Sequence, residues 1–296
     1  MWTRREMDPY SYHFDLRTKP LGAGANLDDR VAYLRRMTAD PARSNPVTVI
    51  QLGLGALQLR DPEQLPLVAI VVEWLERSAD ARGLLPYNFP MPHTFPLDPP
   101  WYSSLAQAEA GSLLVRAAQV LDRPELFELA DRVVSPLLGA DPPLVVLTRE
   151  GPTLQEYPTD PPAHVLNGWI TSLFGLYDVA SAPRGDGATS ERAAGVFRTG
   201  TAALAARLHL YRVPFGWSRY DLYPHPLTNV ASVAYHRLHV AQLRALYSLA
   251  TIETFALTAD EWERSLGNPA AVAVGLGRKV AFRMVRPRFR RVTARA

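Results

Sequence analysis

The sequence predicts an all-α fold, an α/α barrel (toroid) of helical hairpins with a few short strands. Three observations lead there. Most of the chain falls into segments with apolar residues at helical spacing. These segments come in pairs joined by loops. Extended runs are short, and no fixed period repeats, which favours a closed or partial barrel over a regular solenoid.

The elements can be justified in order. "SNPVTVIQLGLGALQL" has Asn45 placed as an N-cap and Pro46 at the first helical position. "DPEQLPLVAIVVEWLERSADARG" is apolar almost all round, as a buried helix would be, and stops near Gly83. "GLLPYNFPMPHTFPLDPPW", residues 83–101, is a loop with six prolines, and ordered loops of that length are often functional. "SSLAQAEAGSLLVRAAQVLD" carries Ser104 and Gln107 at the spacing of a capping box. "RPELFELADRVVSPLL" follows with Pro124 near its start. Further helices are expected over about 162–180, in "SERAAGVFRTGTAALAARLHLY", in "TNVASVAYHRLHVAQLRALYSL" and over about 254–266. Extended pieces are expected at 143–148 and 218–223.

Composition narrows the class. Of 296 residues, 47% are hydrophobic and 21% charged, a soluble globular balance. There is no cysteine, which excludes disulfides and thiolate metal sites. Arginine outnumbers lysine thirty to two. The N-terminus has neither an apolar core nor a cleavage site of a secretory signal, and no run reaches the ~18 apolar residues of a membrane span. A cytoplasmic location is the expectation.

The net charge of +3 hides an asymmetry: residues 278–296 hold eight basic residues and no acid, leaving 3 − 8 = −5 for residues 1–277. Such a tail reads first as a solvated, partly disordered end, and second as a weak contact with an anionic membrane surface or an acidic polymer. Nucleic acid is disfavoured as a partner because no recognisable binding fold accompanies the tail. "GAGANL" lacks the third glycine of a dinucleotide fingerprint and follows no strand.

Two stretches stand out chemically. "LQEYPTDPPAHVLNGWITSLFGLYD", residues 154–178, stiffens Glu156 and Tyr157 with Pro158, Pro161 and Pro162. A helix follows whose Gly168, Ser172 and Gly175 share one face and would admit a close neighbour. In the 228–249 helix, Tyr235, His239, Gln242 and Leu246 form one stripe, with His236 beside it. On an otherwise apolar helix that stripe reads either as satisfied part-buried groups or as the lining of a polar cavity.

Together "WYSSLAQAEAGSLLVRA", "EYPTDPPAHVLNGWITSLFGLYD", "SRYDLY" and "NVASVAYHRLHVAQL" resemble the D-glucuronyl C5-epimerase C-terminal domain in order and spacing, over roughly residues 45–266. The resemblance implies an α/α barrel over 45–267, flanked by an extension (1–44) and the basic tail (268–296). It implies an isomerase, without cofactor, that inverts C5 of glucuronic acid in a heparosan-like polysaccharide to give iduronic acid. It assigns the catalytic tyrosines to Tyr157, Tyr220 and Tyr235, with Glu156 beside the first. It puts Asn167, Gln107, Arg116, Arg219, His236, His239 and Gln242 around the substrate. No metal is carried over. A homodimer is left open.

The chemistry suits those residue types. The C5 proton lies α to a carboxylate, so its removal builds an enediolate whose charge needs preorganised donors or cations. Inversion needs an acid and a base on opposite faces. A phenol, with an ordinary pKa of about 10, needs a positive neighbour to act as a base, and Arg219, Arg237 and the two histidines are the candidates in sequence reach. Four positions depart from the family pattern. Tyr223 and Ser232 stand where arginines are expected, Val233 where a tryptophan is, and Gln155 replaces the first Glu of the Glu-Glu-Tyr-Pro motif. A uronate lyase, which shares the first step, and a non-catalytic glycan-binding protein are the alternatives.

Overall fold

The computed structural model describes residues 13–90, 94–95, 97–139, 144–184 and 187–287. They are mostly helical. After α1 (Thr18–Leu21) and α2 (Leu27–Thr38) come α3 (Pro46–Gln58) and α4 (Leu65–Ser78), then α5 (Ser104–Val120) and α6 (Leu126–Val134). A two-stranded antiparallel hairpin follows, β1 (Val145–Thr148) and β2 (Gly151–Leu154), with Val145 opposite Leu154. Next are α7 (Leu166–Ser181) and α8 (Ala188–Arg207), a short pair β3 (Arg212–Val213) and β4 (Trp217–Ser218), then α9 (Val233–Ala250), α10 (Glu253–Leu266) and α11 (Pro269–Val285).

The hairpins are α3/α4, α5/α6, α7/α8 and α9/α10, and the first members pack in sequence, α3 on α5, α5 on α7, α7 on α9. Within α5 every residue from Ser104 to Ala118 is buried, and in α7 only Tyr177 escapes full burial. Helices apolar on all sides can only sit inside a protein, so α5 and α7 form the centre of the core. They meet through small residues. A Cβ on Gly175 would collide with the Ala108 carbonyl, and one on Gly111 would come within 3.1 Å of Val179 on α7, besides striking Val134 on α6. Ser104 and Ser172 share a hydrogen bond at 2.9 Å.

Asn45 caps α3 as expected, its side chain accepting from Thr48 N at 3.4 Å. Other expectations need correction. Ser104 and Gln107 form no capping box, because Ser103 is the N-cap and the Gln107 side chain turns to neighbouring loops. Pro161 and Pro162 stay in the loop, so α7 begins only at Leu166. In α9 the helix starts at Val233 because Ser232 caps it, accepting from Tyr235 N at 3.3 Å. Of the extended piece at 218–223 only Ser218 is strand, while β2 was not foreseen. Residue 143 lies outside the described residues.

The largest correction concerns the two ends. The extension carries α1 and α2, which pack on α3 and α4. Residues 269–285 are a helix packed on α10 and α9, not a solvated tail. Gly275 lets α11 sit directly on Trp217, since a Cβ there would come within 2.8 Å of the indole. Asn268 caps it, accepting from Ala270 N at 3.0 Å. Residues 288–296 lie outside the described residues. No described helix is long and apolar enough to cross a membrane.

Replacing Gly175 by Ala tests the central contact. The added methyl meets backbone that cannot yield without moving α5, so unfolding in urea should show a loss of about 1–3 kcal/mol. An unchanged midpoint would mean that α5 and α7 pack less tightly than described.

Candidate functional site

The segment between β2 and α7 is tied at both ends. Gln155 Nε2 meets Thr153 Oγ1 at 2.9 Å and His164 Nδ1 at 3.0 Å, while its Oε1 accepts from His164 N at 3.1 Å. This pair of hydrogen bonds between residues 155 and 164 needs a side chain that both donates and accepts, which explains an amide where the family pattern has a carboxylate. Burial holds His164 down at about 4, so its ring stays neutral and can accept. Within the closed loop, the Glu156 side chain rests where Gly168 has no Cβ. The small face of α7 therefore divides its work: Ser172 and Gly175 admit α5, and Gly168 admits Glu156.

Glu156, Asn167 and Tyr235 line a cavity of about 530 Å³. Tyr157 donates its hydroxyl proton to Glu156, and Asn167 Nδ2 donates to Glu156 Oε2 at 3.3 Å. Desolvation nonetheless outweighs both hydrogen bonds and raises the Glu156 carboxyl to about 7. Tyr220 and Tyr235 pack edge to face, with ring centroids 4.9 Å apart. Burial, then the neighbouring Glu156 charge, pushes the Tyr157 and Tyr220 phenols well above 10. All four of the expected catalytic residues are thus gathered in one cluster, with Glu156, Tyr157 and Tyr220 desolvated and Tyr235 part-exposed at the cavity. Phe95, from the proline-rich loop, and Trp101 wall it off, with centroids 5.4 and 6.0 Å from Tyr157.

The other expected residues divide. Gln242 Nε2 reaches Asn167 O at 3.0 Å and Thr171 Oγ1 at 3.1 Å, joining α9 to α7 behind the cavity. His239 Nδ1 meets Ser218 Oγ at 2.8 Å. Three buried atoms at this end of α7 and α9, Asn167 Oδ1, Gln242 Oε1 and His239 Nε2, have no hydrogen-bond partner among the described residues. Of the three residues only Asn167 lines the cavity; Gln242 and His239 are fully buried behind it.

His236 is a packing residue. It stacks on Trp217 at 4.0 Å and bonds Ser218 Oγ at 2.8 Å and Ser265 Oγ at 2.9 Å, and burial lowers it to about 4. Gln107 and Arg116 do not reach the cavity. Gln107 bonds the backbone of Gly83, Leu85 and Val133. Arg116 is 2% exposed and pairs with Asp178 at 2.8 Å, a carboxylate that also meets His13 at 3.2 Å. Burial would raise the Asp178 carboxyl, but Arg116 and His13 overcome that and hold it far below the usual range. Arg219 spends its Nε on the Asp221 carbonyl at 3.1 Å. In place of the family's two arginines, Tyr223 packs on Phe95 at 5.4 Å and Ser232 caps α9.

Sequence reasoning missed four residues here. Gln51 and Glu109 face each other across the cavity wall, Gln51 Nε2 donating at 3.1 Å, and a lone acid in the small apolar run of α5 was a readable signal. The other two are the chain's two lysines. Lys19 lines the cavity. Lys279, from α11, lies 5.3 Å from the centre of the Tyr220 ring and donates to Asn229 Oδ1 at 2.7 Å. Its positive charge helps depress His239, after burial and His236.

The family model described as D-glucuronyl C5-epimerase C-terminus matches residues 79–264. A D-glucuronyl C5-epimerase from Caenorhabditis elegans is 28% identical over 207 residues, which cover 64% of this chain and 33% of that protein. The chain therefore spans about a third of the length of this relative.

The opposed titrations can be separated. A carboxyl raised from 4.5 to about 7 stabilises the fold below about pH 4.5 and loses that contribution as pH rises through 7. The buried histidines act the other way: the unfolded chain takes up their protons first, so they cost stability as pH falls from 6.5 to about 4. Glu156→Gln should therefore gain stability over the parent by roughly 2–3 kcal/mol more at pH 8 than at pH 4.5 in urea unfolding. A pH-independent difference would show an ordinary carboxyl.

Proposed function

The chain belongs to the D-glucuronyl C5-epimerase C-terminus family, and from that premise we propose that it inverts C5 of glucuronic acid units in an acidic, heparosan-like polysaccharide. The observation that carries this is the desolvated Glu156–Tyr157 pair close to Tyr235, with Glu156 and Tyr235 both lining the cavity. The row of hairpins closing into an α/α barrel, with the cavity at its mouth, belongs to the same proposal.

Tyr157 and Tyr235 are the opposed groups. With its phenol so far above 10, Tyr157 cannot wait as a phenolate near neutral pH. It acts instead as a relay: its oxygen takes the C5 proton while its own proton passes to Glu156, whose carboxyl near 7 is matched to that task. The C5–H electron pair moves into the enediolate. Tyr235 then donates its proton to the opposite face of C5. The phenolate left on Tyr235 regains a proton, Glu156 loses one, and the enzyme returns to its starting state. Tyr220 holds Tyr235 edge on.

The enediolate needs positive charge. Lys19 at the cavity and Lys279 behind Tyr220 supply it in place of the two family arginines. The unpartnered Asn167 Oδ1, on a residue that lines the cavity, suits a sugar hydroxyl. Within reach of that cavity the acids Asp15 and Glu109 stand against Lys19, so charge steering of an anionic polymer is weak and the reaction depends on local positioning. The 530 Å³ cavity has room for a ligand-sized group such as one or two sugar units of a longer chain.

Incubation with heparosan in deuterated water, followed by NMR, tests the reading. Deuterium should enter at C5, with a rate that rises with pH through about 7 as Glu156 ionises. Tyr157→Phe and Tyr235→Phe should each lower exchange by about 10²-fold or more. No exchange in any glucuronate polymer by folded parent would sink the proposal. Ultraviolet absorbance from an unsaturated uronate would select a lyase instead, since expulsion of the C4 oxygen follows the same first step.

A further inference from the structure

Helix α11 is built inside out. Of its basic residues in the described part, Lys279 and Arg283 turn toward the protein, Lys279 bonding Asn229 and Arg283 Nη1 donating to Thr94 Oγ1 at 2.6 Å, while the exposed Arg278 lies over Phe215 at 5.2 Å. Ala271, Gly275 and Phe282 share that side and are buried. The opposite side is apolar from end to end. Ala273, Leu276, Gly277, Val280 and Met284 fall at i, i+3, i+4, i+7 and i+11, and all are exposed. Leu276 is 56% exposed, Val280 52% and Met284 78%. Val274 and Val285 extend the surface on one flank. A surface helix in water normally shows its polar side, and a contiguous apolar face of this kind marks an interaction surface.

Charge identifies the partner. Arg286 closes the helix and Arg288, Arg290, Arg291 and Arg295 follow within nine residues, with no acid among residues 278–296. A second copy would bring a like-charged segment toward its own image. An anionic bilayer would accept both parts, the apolar face in its interfacial layer and the arginines among its headgroups. We infer that the outer face of α11 docks the protein flat onto an anionic membrane surface, with the exposed Arg278 and the part-exposed Arg286 at its edge. Through Lys279 and Trp217 the docked helix is joined to the Tyr220 side of the cavity, so the cavity is held at a constant height above the lipid.

Co-sedimentation of the full chain with vesicles tests this directly. The parent should bind phosphatidylcholine vesicles containing about one-third phosphatidylglycerol and not phosphatidylcholine alone, and it should bind less when salt rises from about 0.1 M to about 0.5 M. Val280→Asp with Met284→Asp should weaken binding by about tenfold or more while leaving the melting temperature unchanged, since both side chains are exposed. Leu276→Gln is the milder variant should that pair destabilise the chain, and a smaller loss of binding is expected. Three results overturn the inference: no binding to the mixed vesicles, binding undiminished in the folded variants, or a parent dimer that the substitutions dissociate while vesicles bind nothing.

Discussion

The close approach of α5 and α7 is the constraint on which the rest of the molecule depends. Two helices buried on nearly all sides can meet only where side chains are small, and Gly111, Ser104, Ser172 and Gly175 provide that seam. Its position along α7 fixes where the helix begins, and so where Gly168 stands. Gly168 in turn is the seat of Glu156. A packing requirement and a chemical one therefore share a single face of one helix. The strap that delivers Glu156 is itself closed by Gln155 on His164, so neither end of the loop can drift.

That seating explains the electrostatics. A carboxyl pressed against a helix backbone, with one phenol and one amide for company, loses more hydration than those bonds return. Its pKa rises and the neighbouring phenols rise with it. The cluster is dry and holds its protons, a state suited to relay rather than to standing phenolates. Positive charge then has to come from elements outside the central hairpins. In the proposed reaction it would come from α1 and α11, at opposite ends of the chain, through the only two lysines among thirty-two basic residues.

The hairpin order was legible because long apolar helices announce themselves by period, and Asn45 followed by Pro46 states its cap in two letters. The tyrosines and Glu156 were legible through a long specific motif. What was not legible has physical causes. Gln107 and Arg116 sit in the same motif, but a motif records packing as well as chemistry, and these two serve loops and the Asp178 pair. The helix α11 was hidden because its basic residues read as a charged tail, when in fact Lys279 and Arg283 face inward. The role of Lys279 needs a contact across some sixty residues of chain from Tyr220, which no local pattern carries. The strand β2 was too short, at four residues, to show alternation.

The central claim is that this packing leaves Glu156 desolvated and titrating near neutrality. Carboxyl-carbon NMR of the chain labelled at glutamate, with the resonance assigned by its loss in Glu156→Gln, measures that most directly. The account expects one glutamate to titrate at about 7. A Glu156 resonance that titrates in the ordinary range near 4.5 would contradict it, because a hydrated carboxyl could not be lodged on Gly168 behind Tyr157.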